Sequence, residues 1–255
     1  MRNFEKTFEL EWKLYGNSER IYGHTEQMAK EYLFKQFGHG LTEEWFKGKR
    51  ILDAGCGHGN LVKIFADMGA ETVGVDLNEE VCKISKEKVK HLPNAKIVHH
   101  DLLDSLSALG EFDFVFSSGV IHHTPNARKA FKNLAKATKK GGYLGVWVYP
   151  KGSWLWENSN KFVRFFTTKL PKKMLYYLCY IPVPMMYFVP VYSRTHPSRN
   201  TWKECAQCAY DWLAPKYQSH HTYEELKSWY GEEGFHDIKP APIATGAVGR
   251  KLRVK

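Results

Sequence analysis

The stretch Ile51-Leu52-Asp53-Ala54-Gly55-Cys56-Gly57-His58-Gly59-Asn60 constrains the fold of this chain more than any other part of it. A short apolar run ends in an acidic residue, three glycines then alternate with other residues, and a helical pattern begins. Glycine reaches backbone angles closed to other residues and lets a ligand press against the main chain. A strand that enters such a loop and leaves it as a helix is the nucleotide-cofactor corner of an open α/β sheet.

The chain on either side fits that corner. Residues 1–48 read as a helical cap, with apolar spacing such as Met28, Tyr32, Leu33 and Phe37 before Gly38 and Gly40. From residue 50 the pattern alternates: strands over 50–54, 71–76, 95–99, 112–118 and 143–149, and helices over about 59–68, 79–90 and 126–139, the last ending at Lys139-Lys140-Gly141-Gly142. Such alternation predicts a parallel sheet with crossover helices, an α/β core over 49–150. The pattern breaks at Pro150, and 151–220 reads as an aromatic, proline-rich insertion. It resumes over 221–255, with Thr222 as N-cap and Glu225 completing a capping box, then two strands near 235–239 and 247–254.

The glycine spacing is G-x-G-x-G, not the dinucleotide G-x-G-x-x-G, which counts against NAD. Asp76 closes the second strand about twenty residues on, where a carboxylate accepts from two ribose hydroxyls and repels a 2′-phosphate. Asp101 follows the third strand, within reach of an adenine amino group, with Asp104 close by as a rival. The fourth strand runs into Gly119-Val120-Ile121-His122-His123. Taken in order, 51–59, 73–76, 100–102, 112–123 and 134–142 resemble a class I S-adenosylmethionine-dependent methyltransferase of the small-molecule or glycan type. The resemblance covers about 48–150 and departs from the family at Lys140, where a proline is common.

That resemblance implies a Rossmann-like sheet of seven strands, mostly parallel with the last antiparallel, and helices on both faces. It places Gly55, Gly57 and Gly59 along the methionine part of S-adenosylmethionine with Asp53 nearby, Asp76 on the ribose and Asp101 on the adenine. Cys56, Leu77, Leu102 and Ser117 complete the expected cofactor set, Cys56 as a small packed side chain rather than a nucleophile. A sulfonium methyl is already electrophilic, so the protein has to orient the acceptor, exclude water and take a proton where the acceptor carries one. His122 and His123, at the carboxyl edge of the sheet, are the candidate base or positioning groups, against the plainer reading that they cap the loop. Tyr210, Trp212, His220 and His221 are candidates to face the acceptor.

Charge points to the acceptor's character. Of a net charge of +10, about +8 falls between Lys151 and Lys203, where nine basic residues meet one acid, Glu157. Such an excess attracts something anionic. Residues 174–192 carry no formal charge, yet Pro182, Pro184 and Pro190 would interrupt a membrane-spanning helix. Two readings stay open for this insertion, a lid over the acceptor or a surface over 161–192 that touches a membrane or a second subunit, against the plainer reading of a solvated basic face around an aromatic core. The favoured acceptor is a small or glycan-like molecule; the lysines suit anionic lipid headgroups and equally a phosphate or carboxylate on a soluble acceptor, so a lipid-linked, anionic acceptor stays open. An RNA acceptor is the alternative, disfavoured because Ser117-Ser118-Gly119-Val120 stands where base-amino methyltransferases often carry an Asn/Asp-Pro-Pro-aromatic motif. A non-catalytic cofactor-binding partner protein is the other alternative. Cys205-x-x-Cys208 lacks two further ligands, so no metal is assigned. Five cysteines without disulfide-framework spacing, and no apolar run among Arg2, Glu5, Lys6 and Glu9, lead us to expect a cytoplasmic protein, at most peripheral to the membrane.

Overall fold

The computed structural model describes residues 26–181 and 202–252. They fall into two compact units: Glu26–Lys151 with the chain from Tyr217 onward, and a helical unit over Gly152–Lys216.

The first unit is built on a sheet of seven strands. In chain order its elements are α1 (Glu26–Phe37), α2 (Glu43–Phe46), β1 (Arg50–Ala54), α3 (Asn60–Asp67), β2 (Glu71–Asp76), α4 (Glu79–Val89), β3 (Ala95–His99), β4 (Phe112–Ser118), α5 (Ala127–Ala137) and β5 (Thr138–Trp147), and, after the helical unit, α9 (Tyr223–Glu232), β6 (Phe235–Pro240) and β7 (Gly246–Lys251). The strand order is β3-β2-β1-β4-β5-β7-β6. β7 runs antiparallel to both of its neighbours. The remaining pairings are parallel, which needs the helical crossovers that the alternating sequence supplies.

Each face of the sheet has its own core. Phe114 and Phe116 of β4 lie on one face with Phe37, Phe46 and Phe65, whose rings meet edge to face. Val115, between them in sequence, joins Phe131, Trp229 and Tyr230 of α5 and α9 on the other. The buried Tyr230 hydroxyl sits 3.0 Å from the Leu144 carbonyl and 2.9 Å from that of Ala247, tying α9 to the antiparallel β5–β7 pair.

The boundaries expected from sequence hold for β1 to β4, and they fail at β5. The helix ahead of it stops at Ala137, and the strand starts at Thr138, not Tyr143. Thr138 pairs with Phe112 and Tyr143 with Phe114, so Lys139–Gly142 bulge out of register. Gly141 holds φ +80°, and a Cβ on Gly142 would sit 2.8 Å from the Asp113 carbonyl oxygen. The two glycines therefore serve a strand bulge instead of a helix stop.

The helical unit comprises α6 (Trp154–Thr167), α7 (Lys172–Leu178) and α8 (Trp202–Leu213). Ser153 caps α6 by accepting from the Trp156 N–H. Its core gathers Leu175, Tyr176, Cys179, Ala209 and Tyr210. Most of the uncharged stretch at 174–192, with its three prolines, lies outside the described residues, as do residues 1–25 of the expected helical cap.

Candidate active site

The glycine loop lies at the carboxyl end of β1. Gly55, Gly57 and Gly59 take φ of +86°, +50° and +73°, the left-handed region that side-chain-bearing residues avoid. The N–H groups of Gly55 and Cys56 donate to the Val75 carbonyl at 2.8 and 2.9 Å, which pins the loop to the neighbouring strand. A Cβ on Gly55 would meet the Val120 side chain at 2.3 to 2.9 Å, so the loop after β4 closes directly over the loop after β1.

Two acids converge here. Asp76 accepts from the Gly57 N–H at 3.0 Å and from the Asn78 N–H at 2.9 Å. A carboxylate offers about four acceptor positions, so capacity remains for a ligand's hydroxyls. Burial raises the Asp76 carboxyl above its ordinary range against the opposing pull of those N–H donors. Asp53 is 3% exposed, and its Oδ2 has no hydrogen-bond partner among the described residues. Burial, helped by the charge of Asp76, pushes its pKa up to about 7. A buried carboxylate with an orphaned oxygen beside a second acid is a place a cation would stabilise. That donor set fits S-adenosylmethionine, which carries a sulfonium and an ammonium.

The other expected cofactor residues divide. Asp101 accepts from the Leu103 N–H at 2.9 Å and is half-buried, whereas Asp104, its rival, is exposed. Leu77 lends its carbonyl to His99 Nε2 at 2.7 Å. Leu102 is buried in the core. Ser117 is fully buried and donates its hydroxyl to the Ala54 carbonyl at 2.9 Å, so that hydroxyl supports the loop. Burial, reinforced by Asp76 and Asp53, drives the Cys56 thiol well above its ordinary value, consistent with a packed side chain.

Beyond β4 and β5 lies a cluster of four histidines around Tyr149. His122 stacks on the Tyr149 ring at 3.9 Å, and His123 approaches His122 at 4.2 Å. The His220 ring lies nearly parallel to that of Tyr149, 6.2 Å away. His122 is fully buried, with no hydrogen-bond partner on either ring nitrogen among the described residues. Burial, then the neighbouring His123, His221 and His220, hold its pKa well below the usual histidine value, so it is a neutral imidazole. His123 Nδ1 lies 3.1 Å from the Tyr217 carbonyl. A carbonyl only accepts, so Nδ1 is the donor in this pair.

His221 belongs to a chain of polar groups. Its Nε2 lies 2.8 Å from Ser219 Oγ, and its Nδ1 lies 3.0 Å from Glu225 Oε1, an ion-pair distance outside hydrogen-bond alignment. The expected capping box is half present. Thr222 Oγ1 accepts from the Glu225 N–H, but the Glu225 carboxylate faces His221. Only folding brings Tyr149 beside the histidines, whereas Ser219 and Glu225, two before and four after His221, are within reach of sequence spacing.

Tyr210 and Trp212 belong to the helical unit. Tyr210 is 1% exposed and packs edge-on to Tyr176, which makes it a core residue of that unit. Trp212 donates from Nε1 to Asn160 Oδ1 at 2.8 Å and meets the ring of Trp156. Among the described residues no group of three or more His, Cys, Asp or Glu is placed to hold a metal ion, and Cys205's side chain lies outside them.

Comparison with known proteins agrees with this fold. Residues 52–146 match the family described as methyltransferase domain. Phosphoethanolamine N-methyltransferase 2 of Caenorhabditis elegans is 32% identical over 134 residues, 51% of this chain and 29% of that protein. The chain thus spans under a third of the length of that relative. Demethylmenaquinone methyltransferase of Staphylococcus aureus is 25% identical over 213 residues, 82% of this chain and 77% of that protein. In fold, the chain is similar to magnesium protoporphyrin IX methyltransferase of Synechocystis, solved with bound S-adenosylhomocysteine (TM-score 0.56, 16% identity, covering 98% of this chain and 96% of that one).

Proposed function

From the premise that this chain carries a class I S-adenosylmethionine-dependent methyltransferase domain, we propose that it transfers the methyl group to a small-molecule acceptor held beside the histidine cluster. The observation that carries this reading is the orphaned, buried Asp53 carboxylate beside Asp76 in a loop of left-handed glycines. When bound, S-adenosylmethionine supplies an electrophilic methyl on sulfur and needs no further activation. Asp76 accepts from the ribose hydroxyls, Asp101 from the adenine amino group, and the loop of Gly55, Gly57 and Gly59 lets the methionine part approach the backbone. Asp53 balances positive charge.

The acceptor side follows from burial. Neutral His122 orients the acceptor, since a buried imidazole that resists protonation is a poor base. His123, half-buried beside it, takes the acceptor's proton. His221, steered by Glu225, supports this through Ser219, which also lies 3.3 Å from the His122 carbonyl. Small acceptors suit the similarity to proteins named for phosphoethanolamine and demethylmenaquinone. The basic, aromatic helical unit favours an acceptor that is anionic and lipid-linked.

Titration calorimetry with S-adenosylhomocysteine tests the cofactor half. We expect Asp76→Ala to weaken binding by roughly 1–3 kcal/mol, and an unchanged dissociation constant would refute the ribose role. Labelled methyl transfer into separated metabolite, lipid, glycan and RNA fractions tests the acceptor. Label in the RNA fraction would favour the nucleic-acid alternative. Cofactor binding without label in any fraction would favour a non-catalytic partner protein.

A further inference from the structure

α6 is built inside out. Arg164, the residue best suited to water, is buried, with its guanidinium donating to the carbonyls of Trp212 and Pro215. Trp154, Leu155, Phe162, Phe165 and Phe166 are instead between 53% and 79% exposed. Leu155, Phe162 and Phe166 recur seven and four residues apart, on one helical face, and Phe162, Phe165 and Phe166 pack edge-on into one surface at 5.2 to 5.3 Å. A contiguous apolar surface of this kind seldom stays in water without a partner. Its border is cationic: Lys161 and Lys169 are exposed, and Lys169 Nζ lies 3.5 Å over the Phe165 ring. Over 152–181 five basic residues face one acid, Glu157.

We propose that this face of α6 docks on the surface of an anionic lipid bilayer, with the aromatic side chains entering the interface and the lysines meeting headgroups. The helix lies on the membrane, since no described helix is long and apolar enough to cross one. The chemistry favours lipid over nucleic acid. The exposed rings are mainly phenylalanine, with Phe162, Phe165 and Phe166 packed on one another. The guanidinium that would grip a phosphate, Arg164, is turned inward. The inference deepens the reading of a lipid-linked acceptor, because a docked enzyme meets such an acceptor where it resides, yet docking itself requires no methyl transfer.

The test uses the full chain without acceptor, cosedimented with phosphatidylcholine vesicles and with vesicles that also contain phosphatidylglycerol. We expect capture by the anionic vesicles, at least about tenfold weaker capture by the neutral ones, and loss at high salt. Combined Trp154→Ser, Phe162→Ser and Phe165→Ser should lower partitioning by about tenfold or more, and Lys161→Gln with Lys169→Gln by several-fold. Helix content by circular dichroism and S-adenosylhomocysteine binding in the same samples show that the variants are folded. They also keep this test separate from that of the cofactor site. Wild-type protein that ignores anionic vesicles at low salt, or apolar-face variants that bind like wild type, would overturn the proposal. So would retention on single-stranded RNA but not on vesicles, or serine variants that convert a dimer to a monomer without changing vesicle binding.

Discussion

At the scale of single residues, Asp53 makes the sharpest prediction. Its pKa near 7 lies above the ordinary carboxylate value of 3.8, so the folded protein without ligand binds a proton there that the unfolded chain releases. The native state binds more protons between those two values. Asp53's contribution to stability is therefore highest below about pH 4 and declines as pH rises through about 7. A cationic cofactor reverses the preference by favouring the ionised form. S-adenosylmethionine binding should then release protons near neutrality and tighten between about pH 6 and about pH 8. Calorimetry in buffers of different ionisation heat would show it, and Asp53→Asn should abolish the pH dependence. Gly55→Ala is a steric test of the same corner. A methyl group there would sit within 2.9 Å of Val120 at a φ of +86°. It should cost about 1–3 kcal/mol of stability, read from denaturant unfolding, and weaken cofactor binding. These acids and glycines were legible in the sequence because cofactor chemistry fixes both residue type and order along the chain. Tyr149 was not, since nothing in the spacing ties residue 149 to the histidines at 220 and 221.

At the scale of elements, the apolar runs placed β1 to β4 correctly; β1, β2 and β4 are covered on both faces, and edge strand β3 keeps a buried Ile97 at its centre. The same reading failed at β5, where Lys139-Lys140-Gly141-Gly142 reads locally as a helix end but pairs across a bulge with β4. Pairing between strands overrode local propensity there. Two buried polar anchors can be tested directly. Arg164→Met removes the charged hydrogen bonds that hold α6 to the carbonyls of Trp212 and Pro215. It should loosen the helical unit by about 1.5–3 kcal/mol, seen as faster proteolysis within 152–216 with cofactor binding retained. Tyr230→Phe removes the hydroxyl between the Leu144 and Ala247 carbonyls and should lower stability by about 1 kcal/mol, measured by thermal unfolding.

At the scale of the whole molecule, the chain builds its sheet from two separated stretches and encloses a helical unit between them. The residues proposed to hold the cofactor all belong to the sheet unit, so a ligand should stabilise that unit selectively. Scanning calorimetry with S-adenosylhomocysteine at about a hundred times its dissociation constant should raise the sheet unit's transition by the equivalent of about 2.7 kcal/mol and leave the helical unit's in place. A single transition that shifts as one would contradict this. The sequence by itself determined the sheet class, the cofactor corner and the positive charge of the insertion. Each of these depends on local order: alternating periods, glycines at a turn, acids at strand ends, lysines in a run. Only the tertiary structure decided that Asp53 keeps an unpartnered oxygen, that four histidines close around Tyr149, and that α6 buries its arginine while exposing its aromatics. Those facts depend on which side of an element meets the rest of the protein, and burial is set by neighbours distant in the chain.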